Sequence, residues 1–173
     1  MPTILTHPAA ALLKSWFPRV PGRAIPIGAA LTILPDADVA AFAMGIPYEH
    51  VLGHRGITHS LLFALVMALL GTLFTPRPGR ATFTFLFLCA VSHPLLDALT
   101  DGGLGVALLA PFSNERYFFP WTPIRVSPIG PGFFSARGME TLMSEVVWVW
   151  LPVGLAALLG RKVIKGDRRP RRS

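Results

Sequence analysis

Cysteine is all but missing from this chain. The lone thiol, Cys89, excludes an intramolecular disulfide and any Cys-rich zinc module, and its place inside an apolar run makes it a packing residue. Charge is scarce too: Asp, Glu, Lys and Arg make up only 14% of residues, where a soluble domain carries about a quarter. That shortage argues against an ordinary soluble fold. No positively charged leader opens the sequence, and the first apolar piece, 8–13, is short, so no cleavable signal peptide is expected. Internal repeats are absent, and the only low-complexity tract is a basic tail.

What is abundant is apolar. Hydrophobic residues make up 52% of the 173 positions and the mean hydropathy is +0.53, which predicts an integral membrane protein with one core. The net charge of +7 is concentrated behind the last apolar run, in Arg161, Lys162, Lys165, Arg168, Arg169, Arg171 and Arg172. Such a cluster reads as a cytoplasmic juxtamembrane anchor that contacts membrane lipids, and no nucleic-acid binding is expected of it. The chain thus divides into one helical, membrane-embedded domain over 1–160 and a basic cytoplasmic tail over 161–173.

Helical pieces are expected over 8–17, capped by Thr6, and over 24–34, stopped by Pro35. The second is too short to span a bilayer, which takes about 20 residues. Further apolar runs cover 61–74, 81–99 and 146–159. Between the last two, residues 102–138 are rich in Pro, Gly and aromatics and hold neither a helical nor a strand period, which predicts an irregular cap. The fold class is therefore all-α: a polytopic helical membrane protein with an irregular cap region. Placing the basic tail in the cytoplasm also puts Lys14, Arg19, Arg23, Arg77 and Arg80 there, and sends the polar ligand-type residues to the opposite face.

Those residues carry the chemistry. Gly53-His54-Arg55-Gly56-Ile57-Thr58-His59-Ser60 stands at the mouth of the run 61–74. Unpaired polar groups buried there cost about 1–3 kcal/mol each, so the motif is expected to bind something. His93 and Asp97 lie four apart and share one helical face; Asp101 extends the row by a turn if the helix continues. Asp36 and Asp38 follow Pro35, where one can bind metal while the other orients or activates water. His7 on its own reads as a hydrogen-bonded packing histidine more readily than as a ligand. Imidazole and carboxylate without thiolate suit zinc, with manganese or iron as alternatives. If the groups converge, they form a multi-metal site that clamps the oxygens of a phosphoester, with Arg55 and Arg116 to hold phosphate. The aromatics around Trp121 suit a headgroup-level belt. The same residues leave two alternatives open: a metal-handling or transporter-type membrane protein, and a non-catalytic structural one.

The ordered set Thr6-His7, Leu34-Pro35-Asp36-Ala37-Asp38, His54 through Ser60, Ser92-His93-Pro94-Leu95-Leu96-Asp97 and Thr100-Asp101-Gly102-Gly103 resembles the YdjM-type family of membrane-bound, metal-dependent hydrolases. Pro111-Phe112-Ser113 and Phe119-Pro120-Trp121 fit it as well. The resemblance covers roughly residues 3–130 and implies a bacterial inner-membrane helical protein with a hydrolase site. That family is distantly similar to zinc-dependent phospholipase C and the P1-type nucleases, whose helical cores hold three zinc ions; His93 and Asp97 match a ligand pair of that group. It implies a phospholipase C-like helical core here. The chain lacks that group's second His-x-x-x-Glu pair and a processed terminal amine, so two ions are expected, and three only if other groups substitute. The implied metal ligands are His7, Asp36, Asp38, His54, His59, His93, Asp97 and Asp101. Asp36, Asp38 and Arg55 would serve catalysis, and Arg55, Ser60, Arg116 and Trp121 a lipid-like, phosphate-containing substrate.

Overall fold

Proline positions set the helix plan. In the computed structural model, which describes residues 1–128 and 130–167, the first helical piece, His7–Trp16, is a 3-10 helix with proline in its first turn. Thr6 does not cap it. Its hydroxyl donates instead to Glu145 (2.6 Å) and accepts from Trp150 Nε1 (2.9 Å). Helix α1, Ala24–Leu31, is short as expected, but the helical path does not stop at Pro35. Proline needs no N–H partner in a first turn, and here it opens the 3-10 helix Leu34–Val39, which leads into α2, Ala40–Ala43. Together they form a 20-residue segment, Ala24–Ala43, long and apolar enough to cross a membrane.

Helix α3, Leu61–Leu73, starts where the Ser60 side chain accepts a hydrogen bond from Phe63 N (3.0 Å). Helix α4, Arg80–Ala98, returns beside it and is a second candidate span. No helix forms over 99–128; its two isolated bridges pair Thr100 with Ile124 and Val106 with Tyr117. After the 3-10 turn Gly130–Phe134, α5 (Ala136–Glu145), a π-helical turn (Val146–Trp150) and α6 (Leu151–Asp167) run end to end. Pro152 explains the π turn: lacking an N–H and crowding the preceding turn, it forces the ladder to reset just before it. The third candidate span, Ala136–Lys165, lies in this rod. Among the described residues the chain is all-helical, with no extended strand.

Small residues let the helices meet, as bilayer packing favours because lipid is as apolar as the helix faces. A Cβ on Gly28 of α1 would stand 3.0 Å from Cys89 Sγ of α4, and one on Gly71 of α3 would meet Ile27, Leu31 and Leu86 at 3.2–3.3 Å. The core around them holds Ala64, Ala68, Phe85, Leu86 and the free thiol of Cys89, as its apolar setting foretold. Large apolar side chains face outward on α3 (Leu65, Leu69) and α6 (Leu151, Leu155, Leu158). Thr32 of α1 packs beside His93 of α4, and Ser15 beside Gly160 of α6. One end of the bundle thus holds Arg23, Arg80 and Lys165, and the other gathers the His and Asp residues.

One buried acid ties the first residues to the end of α5. Glu145, 1% exposed, accepts from Thr3 N, from the Thr3 hydroxyl (2.6 Å) and from the Thr6 hydroxyl. Replacing it with alanine strands three donors, so Glu145→Ala is expected to lower stability by about 2–3 kcal/mol. Hydrogen exchange should rise first at residues 3–6.

Candidate metal centre

Two glycines shape the segment that carries His54 and His59. A Cβ on Gly53 would lie 2.2 Å from Pro47 O, and one on Gly56 2.2 Å from Val51 O, so the chain folds back on itself as only glycine allows. Between them Arg55 adopts φ 59°, a left-handed conformation that a long side chain takes only when its surroundings compel it. The compulsion is visible. The Arg55 guanidinium is buried, with Nε 3.0 Å from Asp97 Oδ2, Nη1 donating to Gly102 O (3.0 Å) and Nη2 to the Thr100 hydroxyl (3.2 Å). Gly103, at φ 91°, makes the seat: a Cβ there would come within 2.9 Å of both Arg55 Nη1 and the Tyr48 hydroxyl.

Against this frame, four groups meet. One ligand atom each from Asp36, His59, His93 and Asp97 lie within 4.8 Å of one another, a set able to hold a metal ion. The rings are aimed by hydrogen bonds at their far nitrogens. His93 Nδ1 donates to Thr32 O (2.7 Å), which leaves Nε2 facing the centre. His59 Nδ1 lies 3.1 Å from both the Thr58 hydroxyl and Asp38 Oδ2, so it too turns Nε2 inward. Fixing the remote N–H in this way is how proteins present imidazole to a metal. The two Nε2 atoms stand 2.9 Å apart. Asp36 lies 3.4 Å from His93 Nε2, and Asp97 3.4 Å from His59 Nε2.

The carboxylates of Asp36 and Asp97 are buried, and apart from the Arg55 ion pair to Asp97 Oδ2 none of their four oxygens meets an N–H or O–H in hydrogen-bond geometry. Neither ring nitrogen of His7 has a hydrogen-bond partner either; its Nε2 is 3.9 Å from both carboxylates and its ring stacks on His93 at 4.0 Å. Native structures rarely leave so many buried polar atoms unpaired in one place. A divalent cation would satisfy the carboxylates, and the donor set of two imidazoles and two carboxylates, with His7 beside it, fits zinc, manganese or iron(II).

Asp38 plays a different part. Its Oδ1 is 2.6 Å from His54 Nδ1, and its Oδ2 accepts from Arg55 N (3.1 Å) and the Thr58 hydroxyl (2.6 Å). A carboxylate so fully engaged orients His54 and His59. Asp38, His54 and His59 nevertheless form a second metal-capable group that shares the His59 ring.

Protonation follows from this crowding. Burial, with the neighbouring His93, pushes His7 down to about 3, so its ring stays neutral. Burial also pulls His59 down, but Asp36, Asp38 and Asp97 outweigh it and hold the ring up at about 10. In the metal-free molecule at neutral pH, His59 therefore carries a proton that a cation must displace. Metal binding is expected to release about one proton near pH 7 and to weaken as pH falls; above pH ~10 the release disappears. Calorimetry in buffers of different ionisation enthalpy measures it.

The remaining sequence-derived candidates lie around the centre or outside it. Ser60 caps α3. Arg116 donates to His54 O (3.1 Å) and Tyr48 O (2.9 Å) and lies over the Tyr48 ring, clamping the loop behind His54. Asp101 turns away to Arg125 (2.9 Å) and Val126 N (2.7 Å), because α4 ends at Ala98 and the helical row is broken before it. Trp121 is exposed and packs edge-on against Trp148 at 4.7 Å. Residues 168–173 of the basic tail lie outside the described residues. Sequence reasoning passed over Thr32, Tyr48, Thr58 and Thr100. Only Thr58 and Thr100, inside the motifs, had a signal that could have marked them.

No solved structure matches the chain. It is 43% identical over 160 residues to the inner membrane protein YbcI of Escherichia coli (strain K12), a stretch that takes in 88% of this chain and 92% of that protein. The three candidate spans accord with a multi-pass inner-membrane location. The YdjM inner membrane protein family matches over residues 1–165, which includes all the groups that meet at the metal centre, and the chain belongs to that family.

Proposed function

We propose that this protein is a metal-dependent hydrolase of the inner membrane that cleaves a phosphoester in a lipid or other interfacial substrate. The observation that carries the reading is the pair of buried carboxylates, Asp36 and Asp97, whose oxygens accept no hydrogen bond and which face two imidazoles that are already oriented. Zinc is the first choice of ion. Held by Asp36, His59, His93 and Asp97, it would supply Lewis acidity and bring the pKa of a water ligand down to about 7. Of the chain's own groups, His54 is the best placed to move the proton. Its Nδ1 is held by Asp38 at 2.6 Å, so a ring that takes up a proton at Nε2 keeps a carboxylate against its other nitrogen. Arg55 fixes Asp97, and the aromatics Phe118, Phe119 and Trp121 offer an interfacial belt. Phe119 N donates to Ala98 O (2.9 Å), which keeps that belt at the level of Asp97. With the basic end in the cytoplasm, the site opens toward the opposite face.

A transport reading has an observation of its own: His93 lies roughly 20 Å along α4 from Arg80 at 1.5 Å per residue, so in a hydrocarbon core about 30 Å thick it stands nearer the midplane, where transport sites lie, than the far face. The test uses purified, metal-loaded protein with phospholipid and isoprenoid phosphate substrates. Hydrolysis with stoichiometric metal is expected, and His54→Ala should cut kcat by about 10²–10⁴-fold while keeping the metal. Bound metal with no turnover of any phosphoester would favour the metal-handling reading. No bound metal would end both.

A further inference from the structure

A groove of about 670 Å³ runs between the 3-10 helix His7–Trp16, α1 and α6, within the ordinary range of a small-molecule site, about 300–1,000 Å³. Ala11, Leu12, Ile25 and Ala29 give it an apolar lining. Lys14, Arg161 and Lys165 line one end, and among the described residues no carboxylate lines it. The other end reaches Pro8 and Trp150. The cleft is a fixed feature, because Trp16 Nε1 donates to Ala156 O (2.8 Å) and Gly160 brings α6 against Ser15 and Trp16.

We infer that this groove holds one anionic phospholipid, with its headgroup phosphate among Lys14, Arg161 and Lys165 and an acyl chain lying toward Pro8 and Trp150. Charge complementarity carries the assignment: three cations converge at one end of an otherwise greasy cleft. Arg161 and Lys165 close the candidate span Ala136–Lys165, which puts them at the membrane–water boundary where phosphate groups lie. Their stems can lie along the apolar wall while the charged heads reach the interface. Leu12 and Ile25 are exposed, so the groove faces the lipid tails and needs no gate. The cationic end of the groove lies at the opposite end of the helix His7–Trp16 from His7, and the inference does not rest on the hydrolase reading.

The test is native mass spectrometry of the full chain in neutral detergent, titrated with phosphatidylglycerol or with phosphatidylcholine of the same acyl chains. One phosphatidylglycerol per chain should be retained in preference to phosphatidylcholine. The triple variant Lys14→Gln, Arg161→Gln, Lys165→Gln should lose roughly fivefold in affinity for each charge removed, with metal content and any hydrolysis unchanged. Ala29→Phe, which keeps every cation but fills the groove, should weaken binding as well, and it serves if the triple variant does not fold. Equal retention of the two lipids overturns the inference, as does undiminished binding in the variants. Inorganic phosphate binding as tightly as the phospholipid overturns it too.

Discussion

His93→Ala is expected to empty the metal centre. The imidazole is wholly buried, and its Nε2 lies 2.9 Å from that of His59 and 3.4 Å from Asp36. Alanine removes a donor that no water-exposed neighbour can replace and leaves Thr32 O without its partner. Loss of a residue that merely orients a ligand costs about 10–100-fold in metal affinity; loss of this ring should cost more, with purified protein below stoichiometric metal by elemental analysis. Under the hydrolase reading activity should fall with it. His59→Ala should behave alike. Asp38→Asn, which keeps the shape of an orienting group, should fall only within the smaller range. If His93→Ala kept both metal and activity, the assignment of the centre would be wrong.

Arg55→Ala is expected to be the most destabilising single change. The side chain is 1% exposed, pairs with the fully buried Asp97, and donates to Gly102 O and Thr100. Breaking a buried pair by removing one partner costs about 3–5 kcal/mol, because the other charge is left uncompensated. The metal-free protein should suffer most. A bound cation gives Asp97 a second counter-charge, so added zinc should rescue Arg55→Ala by more degrees in Tm than it adds to wild type. Equal shifts in the two proteins would mean that Arg55 and the ion do not share Asp97. Arg55→Lys should recover little, since an ammonium cannot reach Asp97, Gly102 and Thr100 in one fork.

Much of the centre was legible before any coordinates. His93 and Asp97 could be read from the helical period alone, because α4 is regular through both despite Pro94. His54 and His59 were marked by polarity at the mouth of an apolar run. The same period overreached at Asp101: the helix ends at Ala98, a local event set by bonds from 119 and 124 to Ala98 and Leu99. Pro35 misled in the other direction, since its stop signal also fits the first turn of a 3-10 helix. The division of labour between Asp36 and Asp38 was open in the sequence. It depends on which carboxylate meets N–H and O–H donors, and those come from Arg55 and Thr58, distant in the chain. Glu145 gave no signal because its partners lie 139 and 142 residues away.

That long reach bears on the order of synthesis. His7 leaves the ribosome before every other group of the centre, yet the side chains of the threonines beside it are tied, among the described residues, by Glu145 and Trp150. The earliest candidate ligand is therefore the last to be locked. A nascent chain stalled before α5 already carries His59, His93 and both carboxylates but lacks the anchors that hold His7 over them, so under the metal reading full-strength capture would wait until the final span has been inserted.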